Sequence, residues 1–202
     1  MRWCLEIPLV LSYYTIDTPY EQEAKRLQAS CKRFEIECDI VGVPSLGSWE
    51  KNCAYKPQFL YEQMQRHQRP LLFCDADAYF LQPLFFEDFM IGDVALFHEE
   101  HRDPRFCVRS GTIFMHATDK SSAFLLRWLH HAQCIENTAH EILAFQDQVS
   151  LYFAVLQSKD IHIIDLPKRY CALFDEQIAD VVIEHGQASR RLRNHFGIHD
   201  EF

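Results

Sequence analysis

Glycine, long apolar runs and positive charge are all scarce in this chain. Only six of its 202 residues are glycine and 48% are apolar. No low-complexity or linker-like tract interrupts it, so residues 1–202 read as a single domain with a sizeable core. No stretch approaches the roughly 20 apolar residues of a membrane span. The N-terminal run "IPLVLSYYTI" is too short for one, and it lacks the basic flank and small-residue cleavage site of a secretion signal. Twenty lysines and arginines face 29 acidic residues, a net charge of −9. That argues against nucleic acid as a partner held by charge. An anionic ligand would need a metal ion or a local basic patch. The eight cysteines form no CxxC pair and no zinc-knuckle spacing. Most lie in apolar surroundings such as "LLFCD". Without a secretion signal they read as buried free thiols of a soluble, cytoplasmic protein.

What is present is an alternation of strand-like and helix-like segments. "IPLVLSYYT" (7–15) reads as a strand buried on both faces. Thr18, Pro19 and Glu21 then supply an N-cap, a first-turn proline and a capping box for a helix running to about Arg33. "ECDIVGVP" is a second strand, which makes a strand–helix–strand unit. "SLGSWEKN" reads as a loop, "KPQFLYEQMQRH" as a helix, and "PLLFCDADAYF" as a third strand. "VALFH" is a fourth, the charged "EEHRDPRFCVR" a loop and a candidate lid, and "GTIFMHA" a strand. "SSAFLLRWLHHAQ" is a helix. "NTAHEILAFQDQVSLYFAVLQS" is another, opened by a capping box of Thr138 with Glu141. "IHIIDLP" and the start of "VVIEHGQASRRLRNHFG" are short strands. The order predicts an α/β fold with a mostly parallel central sheet flanked by helices. Ligands of such sheets bind beyond the carboxyl ends of the strands.

Asp75 and Asp77 stand at such an end, separated by Ala76. On an extended segment their carboxylates point the same way. Two like charges held close are costly, and a divalent cation such as Mn²⁺ or Mg²⁺ resolves the conflict. A plain turn is the other reading, since aspartate is common where strands end. The apolar "LLFC" before and "AYFLQPL" after make a solvent turn a poorer fit. Three D-x-D chemistries compete. A haloacid-dehalogenase-like phosphatase carries Thr or Val where Tyr79 stands here. Two-metal nucleases need further carboxylates and a basic face. A nucleotide-sugar transferase is the third.

"YKPQFLYEQMQRHQRPLLFCDADAYFLQPL" resembles the centre of GT-A-type glycosyltransferases, in which a lysine-bearing helix leads into a strand ending in D-x-D. The resemblance continues through "VRSGTIFMH", "FQDQVSLYF", "DLPKRYCAL" and "VIEHGQASR". The last three are similar to the D-Q helix, the L-P-x-x-Y-N segment and the C-terminal histidine of glycogenin-like members. It spans roughly residues 7 to 195, and Cys171 stands where the family has asparagine.

The resemblance implies a single-domain, Rossmann-like GT-A fold. The activity it implies is hexosyl transfer from a nucleotide-diphosphate sugar, UDP-sugar favoured, to a hydroxyl of a glycan, protein or small molecule. Retention of configuration goes with it. Asp75, Asp77 and His185 would hold the metal. Ser12, Tyr13, Tyr14 and Thr15 would cup the nucleotide, and Ala76 would sit within the motif. Lys56 and Arg190 would add positive charge for the diphosphate, with Arg191 beside them. Ser110 and Gly111 would line the donor sugar. Asp147 and Gln148 would face the transferred sugar or the acceptor. Two rivals remain at this point. A nucleotidyltransferase would want a glycine-rich loop after the first strand, and "SYYTIDTP" has none. A GT-A-fold binding protein that had lost activity would show a broken ligand set.

Overall fold

The computed structural model describes residues 7–85, 89, 91–138 and 146–191. Strand β1 (Leu9–Thr15) is followed by helix α1 (Tyr20–Arg33), and β2 (Cys38–Val43) returns parallel to β1. Next come α2 (Trp49–Ala54), α3 (Lys56–His67), β3 (Leu71–Cys74) and β4 (Ala78–Phe80). Strands β5 (Val94–His98) and β6 (Val108–Met115) lead into α4 (Asp119–Thr138), and α5 (Gln146–Gln157) into β7 (Ile163–Asp165). The chain then forms β8 (Ala172–Leu173), β9 (Ile183–His185) and the short α6 (Ala188–Arg191).

Six strands form one sheet in the order β2-β1-β3-β6-β5-β7. All pairings are parallel except the two made by β6, so β6 alone runs against the others. The α/β fold with a mostly parallel, helix-flanked sheet is therefore the one expected from the alternation of elements. Period-two alternation sends neighbouring residues to opposite faces. Leu9, Leu11, Leu71, Phe73, Val94, Leu96, Ile113 and Met115 pack against Phe59, Leu60 and Met64 of α3, Phe124, Leu125 and Trp128 of α4, and Leu151 and Ala154 of α5. The intervening Val10, Leu72, Cys74, Ala95, Phe97 and Phe114 pack against Leu27 and Cys31 of α1 and against a second sheet. That second sheet has the order β4-β9-β8.

Several local expectations need correction. The third strand is two strands: β3 belongs to the large sheet and β4 to the small one, with Asp75–Asp77 as the corner. "SLGSWEKN" is not all loop, because Ser48 caps α2 by accepting the Lys51 N–H on its side chain. The capping box of α1 closes one residue early. Glu21 Oε1 accepts from the Asp17 N–H at 2.9 Å, while Thr18 Oγ1 donates to the Thr15 carbonyl and accepts from the Tyr20 N–H. Thr138, expected to open the next helix in a capping box with Glu141, is instead the last residue of α4, and Glu141 lies outside the described residues. The seven cysteines within them are all free. Among the described residues no helix is long and apolar enough to cross a membrane.

Candidate active site at the carboxyl edge of the sheet

Cys74, the last residue of β3, pairs with Thr112 of β6. The Asp75 N–H still donates to the Gly111 carbonyl (2.8 Å), and the Ala78 N–H closes a turn on the Asp75 carbonyl (2.9 Å). The chain leaves this turn as β4, whose Ala78 lies opposite His185 of β9. Antiparallel pairing thus carries a histidine from the far end of the sequence to the D-x-D corner. The Gly186 N–H reaches the Asp77 carbonyl (2.9 Å), and the Ala188 N–H donates to Asp77 Oδ2 (2.6 Å). The ligand atoms of Asp75, Asp77 and His185 all lie within 4.8 Å of one another.

The imidazole is fixed from both sides. Nε2 lies 2.8 Å from Thr112 Oγ1, and Nδ1 faces Asp77 Oδ1 at 3.9 Å, an electrostatic contact too long for a hydrogen bond. With Thr112 accepting from Nε2–H, Nδ1 is the atom turned to the carboxylates. Gly111 leaves the room for this. A Cβ there would stand 3.0 Å from His185 Cε1 and 3.2 Å from both His185 Nδ1 and Asp75 Oδ2. Two carboxylates, one imidazole and a glycine-lined gap make a donor set that suits Mn²⁺ or Mg²⁺.

Burial opposes a charged imidazole, but the Asp77 carboxylate and the Cys171 sulfur outweigh it and push the His185 pKa up to about 10. Burial likewise opposes ionisation of Asp77, yet His185 and the Ala188 N–H hold its pKa below the usual carboxylate range. Asp75 is shifted upward, because burial and then the Asp77 charge outweigh the help it receives from Lys56. The pair is split as close carboxylates should be.

Lys56, at the start of α3, is only 3% exposed. Its Nζ lies 2.9 Å from Asp75 Oδ1 and 2.8 Å from Asp147 Oδ2, and it also donates to the Ser110 carbonyl (3.2 Å) and Oγ (3.1 Å). Ser110 Oγ donates to the same Asp147 oxygen at 2.7 Å. Burial would raise the Asp147 pKa, but Lys56 and Ser110 override it and hold it low. Asp147 is fixed in turn by α4. The Trp128 Nε1–H donates to the Asp147 carbonyl (3.0 Å) and to Ser150 Oγ (2.9 Å).

Of the remaining expected site residues, Tyr13 and Gln148 flank the cluster, since Tyr13 interacts electrostatically with Lys56, Asp75 and Asp147, and the Gln148 N–H acts on the Asp147 carboxylate. Ser12 is fully buried. Tyr13 is a core ring packed on Tyr55, Phe59 and Phe73, with its hydroxyl on the Asn52 carbonyl (2.7 Å). Tyr14 is half-buried over Gly42, and Thr15 is buried with its carbonyl bound by Thr18. Ala76 is buried in the turn. The Gln148 amide reaches the Phe106 carbonyl at 3.4 Å. Arg190 is surface-exposed, 3.8 Å from Asp175.

Three neighbours of the cluster escaped the sequence reading. Thr112 was signalled by strand alternation, which turns it to the same side as Ser110. Trp49 Nε1 donates to the Tyr20 hydroxyl at 3.1 Å. The Tyr20 pKa is raised by burial and then by Cys53, with the Asp77 and Asp75 carboxylates adding smaller contributions. Nothing in the sequence flagged the pair, since one ring starts a helix and the other lies in a segment read as loop.

The fold matches the crystal structure of a glycosyltransferase involved in the glycosylation of the major capsid of PBCV-1. The TM-score is 0.68 at 16% identity, over 95% of this chain and 100% of that one. At that identity the likeness is one of fold. No protein-family model and no curated protein matches the sequence.

Proposed function

We propose that the chain is a GT-A-type, metal-dependent glycosyltransferase acting as one domain, with a UDP-sugar as donor and a hydroxyl of a glycan, protein or small molecule as acceptor. The observation that carries this is the meeting of Asp75, Asp77 and His185 at the carboxyl edge of a sheet whose backbone follows that of a glycosyltransferase. These three residues would hold Mn²⁺ or Mg²⁺, and the bound ion supplies positive charge against the leaving diphosphate. Such a local cation also answers the repulsion that a chain of net charge −9 exerts on its donor.

The other roles follow the geometry. The β1 end and the Tyr20–Trp49 pair border the nucleotide, and here Tyr20 and Trp49 suit ring stacking better than the core-bound Tyr13. Ser110 and Gly111 line the donor sugar, and Arg190, on the short helix beyond Ala188, adds charge from the rim. Asp147 anchors a sugar hydroxyl beside Gln148. Its lowered pKa and its bonds to Lys56 and Ser110 make it a weak general base, which favours retention over an in-line displacement. The free thiols suit a cytoplasmic setting.

Calorimetric titration with Mn²⁺ and UDP, followed by a UDP-release assay over a panel of UDP-sugars, tests the reading. The expectation is metal-dependent UDP binding that Asp77→Ala abolishes, and turnover of at least one donor. Unchanged metal-dependent binding in Asp77→Ala would sink it. Inorganic phosphate released from simple phosphomonoesters would replace it with the phosphatase reading.

A further inference from the structure

We propose that Lys56 is a built-in counter-cation that keeps the acidic site weak toward a bare divalent ion, so that the ion enters together with a diphosphate rather than alone. This rests on the metal-site reading above. Lysine has three N–H donors. All are engaged, by Asp75, by Asp147 and by Ser110, in a side chain that water hardly reaches. Such an ammonium is a fixed charge, not a swinging surface group.

The two carboxylates of the motif are unequally free. Asp77 is 13% exposed and tied by the Ala188 N–H and the imidazole. Asp75 is 38% exposed and is the oxygen donor that the ammonium already occupies. A divalent ion arriving at Asp75 must share that carboxylate with a cation 2.9 Å away. Counting the three carboxylates Asp75, Asp77 and Asp147 against the Lys56 ammonium gives −2 with the His185 ring neutral, as metal ligation requires it. A diphosphate brings further negative charge and relieves the repulsion between ammonium and ion. Asp147 tunes the arrangement from the other side, since it competes with Asp75 for Lys56.

The signs are opposite for the two partners, which separates charge from mere packing. Lys56→Gln removes the competing cation, so Mn²⁺ alone is expected to bind about tenfold more tightly. Asp147→Asn removes the competing carboxylate and leaves Asp75 as the ammonium's charged partner beside the neutral Ser110, and Mn²⁺ alone is expected to bind about tenfold more weakly. Calorimetry with Mn²⁺ in the absence of nucleotide reads both, with melting curves in chelator to check folding. UDP is expected to tighten Mn²⁺ binding more in the wild type than in Lys56→Gln. If Lys56→Gln weakens or does not change Mn²⁺ binding, or if UDP tightens both proteins equally, the proposal is wrong. Should Lys56→Gln not fold, Asp147→Asn still decides, since unchanged or tighter binding overturns the proposal. The underlying site is judged separately. If Asp77→Asn leaves Mn²⁺ affinity intact, the metal-site reading fails whatever Lys56 does.

Discussion

At the scale of single residues, the imidazole of His185 is the most informative group. Its pKa is raised from 6.5 to about 10, with Asp77 and Cys171 overcoming the effect of burial. A group whose pKa is higher folded than unfolded stabilises fully below its unfolded value, and that contribution disappears as pH rises through the folded value. In chelator the protein should therefore lose stability between about pH 7 and pH 10. Replacing the imidazole in His185→Gln should flatten that decline. Metal ligation requires the neutral ring, so an ion taken up at Nδ1 must expel a proton. Mn²⁺ affinity should then rise about tenfold per pH unit from about pH 7 to pH 9. Calorimetry in two buffers of different ionisation enthalpy should count about one proton released per ion. An affinity independent of pH across that range would remove His185 from the ligand set.

At the scale of elements, the site is made by irregularities. Leu96 of β5 pairs with Ile113 of β6, but Phe97 pairs with Arg109, so Ser110, Gly111 and Thr112 are extra residues on the β6 side. Bulges re-aim side chains next to sites. Here the bulge offers Ser110 to Lys56 and Thr112 to His185, and leaves the hydrogen between them on Gly111 where a methyl would press on the cluster. Gly111→Ala should accordingly lower Mn²⁺ affinity by about tenfold or more. Its stability in chelator should shift by no more than about 1 kcal/mol. Calorimetry and melting curves on one preparation check both halves, and an unaltered affinity would show that the glycine does not shape the site.

Such irregularities mark the limit of what was legible beforehand. Hydrophobic runs of Leu, Val and Phe announced β1, β3, β5 and β6 and their α/β order, because buried strands need them. The split of "LLFCDADAYF" into strands of two sheets was not legible. Both halves are equally apolar, and only the pairing of β4 with β9 separates them. Helix α2 has six residues, too few for a period to register. Asp75, Asp77 and His185 could be named from their motifs. Their spacing in space depends on a ladder between distant segments, which no local pattern encodes.

At the scale of the whole molecule, the proposed function makes net charge a problem that a donor-binding site would have to solve. The chain carries −9, and the groups nearest the D-x-D corner include three carboxylates. A nucleoside diphosphate approaching on its own meets a field of its own sign, which monovalent salt screens over a Debye length of about 10 Å at 0.1 M. Without divalent ion, UDP binding should therefore strengthen as KCl rises from about 20 to about 200 mM. With the ion at saturation, the local contact is attractive and the same salt shields it, so binding should weaken or stay level. Only a charge placed within the site reverses the slope, because added salt alone acts on the long-range field in both cases. Calorimetric titrations of UDP across that range, with and without Mn²⁺, give the two slopes directly. Slopes of the same sign would mean that the net charge of the chain is not what the ion offsets. The acidic composition would then be a property of the outer surface alone, with no part in how the donor is held.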